Sequence, residues 1–503
     1  MITAQRSGEV FSILLALFVV TSISVAQDYT MNGNVVNNGT IRVRRDIINN
    51  TTGLVTMSGT GVIRLDRTIN NHLIRSTTGS YPIAFANLSM TQTKTVTLNV
   101  DVTVTNNLTI GDASNPYTNA GTGFSIGAQT LTINNLSSYL ATSTAALTFS
   151  GGTALFNSTS AQSILNNAAG VTYGTLSLTG TGTKNLTTGG TVTSATLTQA
   201  GGSGQLSVTE NMNVTGTASI VDLGAISAGK ILQLTAAATS ASITAMNNTG
   251  TGTLRNAANI TTTITTLAGN AGTINQSGAS GTISFTNAAA SSGTISNTST
   301  GTITFANNLT GTGTVSQTAN GTINVGGSFT QNTYTLTGGT VVYNGTAAQS
   351  VIGTTYNNLT VSTTGGNATA SAAITLTGNL IVNSSSTLDM ASYSTSLFPG
   401  GSNNNAGTIR WSGDNKYVAG AGTTEFYGAG IGNVATGTNY GNLLFSGTGM
   451  KTFVTAGTTT ITGNVTVNSG AQLTVNNSVI VQVNGSTNLA GNVSNNGVIN
   501  VGP

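Results

Sequence analysis

The 503-residue chain contains no cysteine, which excludes disulfides, thiolate metal sites and a lipid-attachment cysteine. Charged residues make up only 5% of the sequence and aromatic residues another 5%, with 4 prolines and 1 histidine. The formal net charge of +3 arises from so few groups that it does not indicate nucleic-acid binding. Stability must therefore come from hydrogen bonding and packing, and chemistry that depends on clustered ionisable groups has few candidates.

What the sequence does contain is glycine, 65 residues of it, together with many Thr, Asn and Ser residues. Hydrophobic residues still make up 38% of the chain, more than a disordered chain of this length usually contains. Most of them are Val, Ile and Leu placed singly between Thr, Ser and Asn, a pattern typical of strands with one buried and one solvated face. We therefore expect an all-β protein built of short strands.

Internal repeats are plain in the middle of the chain, where the tripeptide Gly-Thr-apolar recurs. Gly281 to Gly301 and Gly301 to Gly321 are each separated by 20 residues, which is about one coil of a β-helix. The tripeptide begins at Gly252, Gly272, Gly281, Gly293, Gly301, Gly313 and Gly321.

Within one coil, the segment 301–308 alternates so that Ile303 and Phe305 share one face and Thr302 the other. Glycine at the corners is expected to supply backbone angles that other residues resist. The sequence predicts an elongated, right-handed parallel β-helix, or β-solenoid, with coils of about 20 residues. Stacked about 4.8 Å apart, some 20 coils would give a rod on the order of 100 Å long.

A longer motif overlies the coils and indicates duplication. Residues 156–164 and 343–351 share an aromatic-Asn start and an Ala-Gln-Ser-apolar end, and each is followed by Tyr-x-x-Leu, at Tyr173 and Tyr356. A looser third copy ends at Tyr440.

This motif resembles the repeats of large secreted β-helix surface proteins of Gram-negative bacteria, of the filamentous-haemagglutinin and autotransporter-passenger type. The resemblance covers most of residues 140–500 and implies a non-enzymatic surface or extracellular protein of adhesin type, acting as a stalk, matrix component or filament. Complete members carry a translocator barrel, sorting domain or cell-wall motif, none of which follows the repeats here. We therefore expect a separate anchoring or export protein, a longer array, or end-to-end association. End-to-end association is suggested by the likeness of residues 32–41 to residues 490–499.

Residues 1–26 have the pattern of a cleavable signal peptide, with Arg6, an apolar run from Val10 to Val20 and a small-x-small site ending at Ala26. No second apolar run follows that could span a membrane. The expected organisation is a signal peptide at 1–26, an N-terminal solenoid section at 27–140 and a repetitive solenoid body at 141–503. The mature chain is expected to be secreted or displayed on the cell surface.

The start of the mature chain is basic, and the residue types offer two interpretations. A solvated first coil is one, and contact with acidic polysaccharide or a membrane surface is the other. The basic residues are Arg42, Arg44, Arg45, Arg64, Arg67 and Arg75, partly balanced by Asp46 and Asp66.

Candidates for catalysis are sparse. The carboxylates are too scattered to propose a pair, and Glu210 and Asp222 are interpreted as solvated turn residues. The single histidine, His72, is expected to face solvent or to be hydrogen-bonded locally. No cofactor or metal site is predicted and no enzyme activity is expected, although a polysaccharide-processing or carbohydrate-binding β-helix stays open as an alternative.

One stretch, residues 388–427, differs in composition from the repeats. Its aromatic residues are candidates for contact with a glycan or a protein partner, and a longer turn packed over the solenoid flank is the alternative. The candidates are Tyr393, Trp411, Tyr417 and Tyr427.

Thr-x-Thr runs such as Thr302-Ile303-Thr304 suggest ice binding as a further alternative, because a flat threonine ladder can order water. Such a face needs near-identical coils, and the repeats of this sequence vary in length.

Overall fold

The structure is a computed structural model, and it describes residues 2–6, 9–13, 22–25, 28–65, 72–90, 95–110, 122–134, 139–140, 147–166, 168–186, 189–393, 395–397, 403–412 and 421–502. Throughout these ranges the regular elements are β-strands and none is a helix. No helix that is long and apolar enough to cross a membrane occurs in this described part of the chain.

The chain divides into two compact units. The first unit comprises Met1–Ile264 and Asn270–Thr273. Its strands are Ile2–Arg6, Glu9–Ile13, Ser22–Val25, Tyr29–Met31, Val35–Val36, Thr40–Val43, Ile47–Asn49, Val55–Ser58, Val62–Leu65, His72–Ser76, Ile83–Met90, Val96–Leu98, Val102–Ile110, Thr122–Ile133, Tyr139–Leu140, Leu147–Asn157, Gln162–Ile164, Val171–Thr179, Lys184–Leu186, Val192–Gln199, Leu206–Val208, Met212–Ile226, Ile231–Leu234, Ser240–Asn248 and Thr253–Asn256.

The second unit comprises Thr265–Gly269 and Ile274–Pro503, so that strands Thr261–Asn270 and Thr273–Gln276 contribute residues to both units. Its own strands are Thr282–Phe285, Ala289–Ala290, Thr294–Asn297, Thr302–Phe305, Leu309–Thr310, Thr314–Gln317, Thr322–Val325, Phe329–Thr330, Thr333–Tyr343, Gln349–Val351, Thr355–Val361, Ala368–Ala370, Ile374–Leu376, Leu380–Val382, Thr387–Asp389, Thr395–Leu397, Asn403–Asn405, Thr408–Trp411, Thr423–Phe426, Gly432–Val434, Asn439–Tyr440, Asn442–Phe445, Met450–Phe453, Gly457–Ile461, Val465–Val467, Gln472–Val475, Val479–Val483, Thr487–Leu489, Asn492–Asn495 and Val498–Val501.

Strands of successive coils pair in parallel, which makes each unit a β-solenoid. Thr282 pairs with Thr302, and Thr302 pairs with Thr322, so that coils in this section repeat every 20 residues. Near the end of the second unit the step from Val465 to Thr487 is 22 residues. The chain forms about 20 such turns. The predicted all-β solenoid and its coil length are confirmed, and the right-handed sense of the coil stays a prediction.

The core of each unit is a set of side-chain columns that run from coil to coil. Ile283, Ile303 and Ile323 occupy equivalent inward positions, and all three are buried. The rings of Phe285 and Phe305 stack with centroids 4.8 Å apart, which is the spacing of parallel strands. Removing such a ring leaves a cavity, so Phe305→Ala is expected to cost about 3 to 5 kcal/mol of stability.

Glycine in the Gly-Thr-apolar tripeptide is required for a different reason from the one expected. Gly272, Gly301 and Gly321 do not adopt positive φ angles, so backbone conformation does not demand glycine there. A Cβ atom on Gly301 would lie 2.5 Å from the carbonyl oxygen of Gly281 in the coil below. The corners therefore need glycine because neighbouring coils approach closely, and the expectation of special backbone angles is wrong at these positions.

The domain boundary expected near residue 140 lies beside residues outside the described ranges, namely 135–138 and 141–146. It stays a prediction about sequence organisation.

Candidate functional site

The tyrosines of the long motif lie inside the solenoid, and their hydroxyl groups stabilise turns by hydrogen bonding. The hydroxyl of Tyr173 donates to the carbonyl oxygen of Leu165 at 2.7 Å, and that of Tyr440 donates to Ala435 at 3.0 Å. Tyr356 donates in the same way to Ile352 at 2.8 Å. Each hydroxyl thus binds a carbonyl in the turn that precedes its own strand, and the motif has a structural role.

The glutamine of the motif also has a structural role, at the start of the strand that follows a turn. Gln349 donates from Nε2 to the carbonyl oxygens of Val325 and Gly327, both at 2.7 Å. The equivalent Gln162 donates to Ile133, and it pairs in register with Lys184 in the next coil.

Lys184 is a lysine inside the solenoid. Its side chain is fully buried, and Nζ donates to the carbonyl oxygens of Ser158 at 3.1 Å and Gly182 at 2.7 Å. Burial lowers the pKa of this amine below its usual value. Lys451 is held similarly by the carbonyls of Gly428 and Gly430. Sequence reasoning missed both lysines, although the alignment of Lys184 with the motif glutamine is a signal that could have found the first.

The aromatic stretch at 388–427 places charges of alternating sign in one column on the second unit. Asp389 pairs in register with Arg410, and Arg410 pairs with Glu425. Because parallel pairing puts these residues on neighbouring coils, each charge has an opposite charge beside it. Trp411 and Phe426, on the same strands, point inward and stack with ring centroids 6.5 Å apart.

The polar groups of this column are closely connected. Arg410 donates to Asp389 Oδ2 from Nε at 3.0 Å and from a terminal nitrogen at 2.8 Å. The hydroxyl of Tyr427 donates to Asp389 Oδ1 at 2.9 Å, and the guanidinium carbon of Arg410 lies 4.3 Å from the centre of the Tyr427 ring. Burial raises the pKa of Tyr427, and the hydrogen bond to Asp389 raises it further. The cluster therefore holds the half-buried Tyr427 side chain in one orientation at the surface.

The four predicted contact residues are placed differently. Trp411 is 1% exposed and belongs to the interior stack, so its position departs from the exposed arrangement that the prediction requires. Tyr393 is 38% exposed on a turn, and Tyr427 is half-buried in the cluster. Tyr417 lies outside the described residues. Glycan or partner contact through Tyr393 and Tyr427 stays a prediction.

Glu210 and Asp222 are not the solvated turn residues expected from the sequence: Glu210 lies in a bend but is not solvated, and Asp222 lies within the strand Met212–Ile226 and not in a turn. Glu210 is buried, and its carboxylate accepts a hydrogen bond at 2.6 Å from Nζ of Lys230 in the next coil. Asp222 accepts one from Gln205 at 3.3 Å, and the two carboxylates serve separate contacts. Within the described ranges no group of three or more His, Cys, Asp and Glu residues could hold a metal ion.

The basic start of the mature chain is partly exposed. Arg42, Arg44 and Arg45 lie at the surface, whereas Nε of Arg75 lies 3.8 Å from a carboxylate oxygen of Asp46. Arg67 and Asp66 lie outside the described residues. His72 is buried, with its Nδ1 2.6 Å from the carbonyl oxygen of Arg45, so the locally hydrogen-bonded alternative is correct and the solvent-facing one is wrong.

Comparison with known proteins adds no family to this description. The chain matches no protein-family model, and it has no match among curated proteins or solved structures. The architecture is compatible with a β-helix repeat protein, and the resemblance to filamentous haemagglutinins and autotransporter passengers stays a prediction.

Proposed function

We propose that this chain is a non-enzymatic structural protein of the cell surface or extracellular space, of adhesin type, acting as a stalk, matrix component or filament-forming unit. The observation that carries the proposal is the division of each coil. Apolar and aromatic columns fill the inside, as with Phe285 and Phe305, while Thr, Ser and Asn cover the outside. Backbone pairing between successive coils supports stiff, nearly uncharged units.

Export is the first part of the proposal to test. Expression of the full chain in a Gram-negative host, followed by fractionation and intact-mass measurement, should give a surface or medium fraction that begins at Gln27. A chain that stays in the cytoplasm with residues 1–26 attached would contradict both the signal peptide and the surface location.

Adhesion is the second part, and the exposed tyrosines are the place to test it. We expect Tyr393→Ala together with Tyr427→Ala to weaken binding to glycan arrays or cells while the circular dichroism spectrum stays unchanged. Ile431→Ala, at a residue 74% exposed on the same unit, is the matched control. If wild type binds neither glycans nor cells, the adhesin part is wrong and a stalk or matrix role remains.

A second candidate function, ice binding, is favoured by one regular section of the second unit. Thr282, Thr302 and Thr322 form one outward column, and Thr304 lies in the column beside it. The coils are in register there without a shift, unlike the variation in repeat length along the whole sequence. Thermal hysteresis that is lost in a Thr302→Tyr variant would support this function, and absence of hysteresis in wild type would reject it.

A further inference from the structure

Two arginines lie directly opposite each other on the outside of neighbouring coils in the first unit. Arg42 is exposed and Arg64 is partly exposed, and the two pair in register on adjacent parallel strands. The residues that flank them in these strands are all buried, namely Ile41, Val43, Ile63 and Leu65. Both arginine side chains therefore point out from the flank of the coils and not along the stacking direction. Their exposure does not depend on what stacks above or below them.

The sequence around this pair is rich in arginine. Residues 42–75 contain six arginines and two aspartates, a net charge of +4, whereas the whole chain carries +3. The segment contains no Lys, Phe, Tyr or Trp. A guanidinium group can donate two parallel hydrogen bonds to a sulfate, phosphate or carboxylate. We call Arg42 and Arg64 the arginine column; Arg44 and Arg45, both exposed, follow Arg42 closely in the chain.

This arrangement of charge is unfavourable for the sheet itself, because like charges directly opposite each other lower its stability. The second unit shows the favourable alternative, in which Arg410 lies between Asp389 and Glu425 on the neighbouring coils. An anionic group that contacts both guanidinium groups of the arginine column would offset the repulsion. The column is therefore suited to a negatively charged ligand.

The acidic residue beside the exposed arginines in the chain has contacts in the next coil. Oδ1 of Asp46 accepts a hydrogen bond from the backbone N–H of Leu73 at 3.1 Å. Its Oδ2 lies 3.8 Å from Nε of Arg75. This carboxylate therefore joins two coils and balances Arg75.

The extent of the positive surface fits a polymer better than a small anion. The backbones of Arg42 and Arg64 are about 4.8 Å apart in the stacking direction, and Arg44 follows two residues after Arg42, about 7 Å away in an extended chain. Several anionic groups of one polymer can contact such a surface at the same time, which a single small anion cannot do.

The neighbours of the column favour a polysaccharide among polyanions. Ser89 pairs in register with Arg64, and Thr109 pairs with Ser89, so the column continues as hydroxyl side chains that can exchange hydrogen bonds with sugar hydroxyls. Proteins that bind single-stranded nucleic acid stack bases on aromatic residues, and residues 42–75 contain none. Binding to a membrane surface combines basic residues with apolar ones that enter the lipid, and the column continues into hydroxyls instead.

We propose that the arginine column, together with Arg44 and Arg45, binds an acidic polysaccharide whose sulfate or carboxylate groups contact the guanidinium groups. The inference deepens the proposed function by naming a class of ligand, and it rests on that function for the place where the ligand is met. Recognition is by charge, on the first unit, and is separate from the contact predicted for Tyr393 and Tyr427 on the second.

The test compares immobilised dextran sulfate with immobilised dextran, which differ in sulfate alone. Purified full-length protein should bind dextran sulfate in about 50 mM NaCl and lose most of this binding in about 500 mM NaCl, because exposed charges are screened by salt. Biolayer interferometry measures both, and binding to dextran should be at least about tenfold weaker. Absence of binding to dextran sulfate overturns the proposal. Because purified protein is used, this result is independent of export, and failed export would leave it unchanged.

Two variants with the same change in net charge locate the contact. Arg42→Gln combined with Arg64→Gln should weaken binding to dextran sulfate at least about tenfold, with an unchanged circular dichroism spectrum. Arg255→Glu also lowers the net charge by two, at a partly exposed arginine of the same unit that pairs with the neutral Gln233. This control should stay within about twofold of wild type. Equal losses would show that binding follows net charge alone and would overturn the site.

A gain-of-affinity variant keeps the test decisive if the double variant does not fold. Ser89→Arg adds a third arginine to the column at a partly exposed position opposite Arg64. Affinity for dextran sulfate should rise about threefold or more. Unchanged affinity would contradict binding along the column.

Two further probes carry phosphate on other kinds of molecule. Wild type should bind phosphatidylglycerol vesicles and a single-stranded DNA oligonucleotide at least about tenfold more weakly than dextran sulfate. Equal or tighter binding to the vesicles would overturn the polysaccharide in favour of an anionic membrane surface. Equal or tighter binding to the oligonucleotide would overturn it in favour of nucleic acid.

Discussion

At the scale of single residues, several buried polar and charged side chains bind main-chain groups inside the turns. Lys184 and Gln349 donate to main-chain carbonyls of neighbouring turns, and Tyr356 donates to the carbonyl of Ile352. The hydroxyl of Tyr343 accepts a hydrogen bond from the N–H of Ile352. A solenoid of tight turns has many carbonyls that point inward, and a buried carbonyl without a donor is costly. These residues therefore stabilise the turns.

Replacement of Lys184 tests this role. Lys184→Met should lower the free energy of unfolding by about 2 kcal/mol, because the carbonyl of Gly182 loses a buried donor. Lys184→Gln should lower it by less than about 1 kcal/mol, because Gln162 makes an equivalent bond from the neighbouring coil. Urea denaturation followed by circular dichroism measures both, and equal losses would contradict a hydrogen-bonding role.

Alkaline pH tests the tyrosine pair. The hydroxyl groups of Tyr343 and Tyr356 lie 3.0 Å apart, and since Tyr356 donates to Ile352, Tyr343 donates to Tyr356. Burial raises the pKa of Tyr343 to about 12, from 10.0. Because the protonated form is favoured in the folded state, its stabilising effect is complete below pH 10 and disappears as the pH rises through about 12.

The expected loss from this tyrosine is up to about 3 kcal/mol across that window. Urea midpoints between pH 8 and 12 measure it. Tyr343→Phe should flatten the decline, whereas Tyr393→Phe, at an exposed turn, should leave the wild-type pH dependence unchanged. A decline of the same steepness in Tyr343→Phe would exclude this residue as the cause.

At the scale of the element, the unit of construction is the strand with its glycine corner. Where parallel strands of successive coils are in register, as in the section from Thr282 to Val325, a corner lies directly against the corner of the next coil. Thr302–Phe305 shows the result, with Gly301 packed against Gly281 below it and with Phe305 stacked on Phe285. The strand fixes which side chains point inward, and the corner fixes how closely coils can approach.

Glycine substitution separates close approach from backbone conformation. Gly301→Ala should lower stability by about 2 kcal/mol or more, because its Cβ would lie 2.5 Å from a carbonyl oxygen of the coil below. Gly430→Ala, at a glycine of the same unit with nothing within 4 Å of the new Cβ, should change stability by less than about 0.5 kcal/mol. Thermal melts of the two variants compare them directly, and similar melting temperatures would refute the close-approach explanation.

At the scale of the molecule, each unit is stabilised by backbone pairing and apolar columns, with few charged contacts. The described ion pairs include Arg410 with Asp389 and Lys230 with Glu210, and both connect neighbouring coils. With 5% charged residues, long-range electrostatics contributes little to the stability of either unit.

Salt and reductant should therefore have small effects on stability. Raising NaCl from 50 mM to 1 M, or adding dithiothreitol, should shift the melting temperature by less than about 3 °C, because partly buried ion pairs are screened little by salt and the sequence has no cysteine. Differential scanning calorimetry checks this. A large fall in 1 M salt would mean that the ion pairs between coils hold the structure together.

The sequence by itself determined the class of fold and the coil. Alternation of Thr with Ile or Phe requires strands with one buried face, and the 20-residue recurrence from Gly281 to Gly321 requires stacking of equivalent strands. These are local and periodic properties, and they are readable from one chain because each coil repeats the constraints of the coil before it.

Only the tertiary structure showed which side chains of different coils are neighbours. Three features depend on which coil stacks on which, at a separation of about 20 residues. They are the burial of Trp411, the hydrogen bonds from Lys184 to main-chain carbonyls, and the pairing of Asp389 with Arg410. Asp389 and Arg410 are 21 positions apart in the sequence, and a change of one residue in the turn between them would place them out of register.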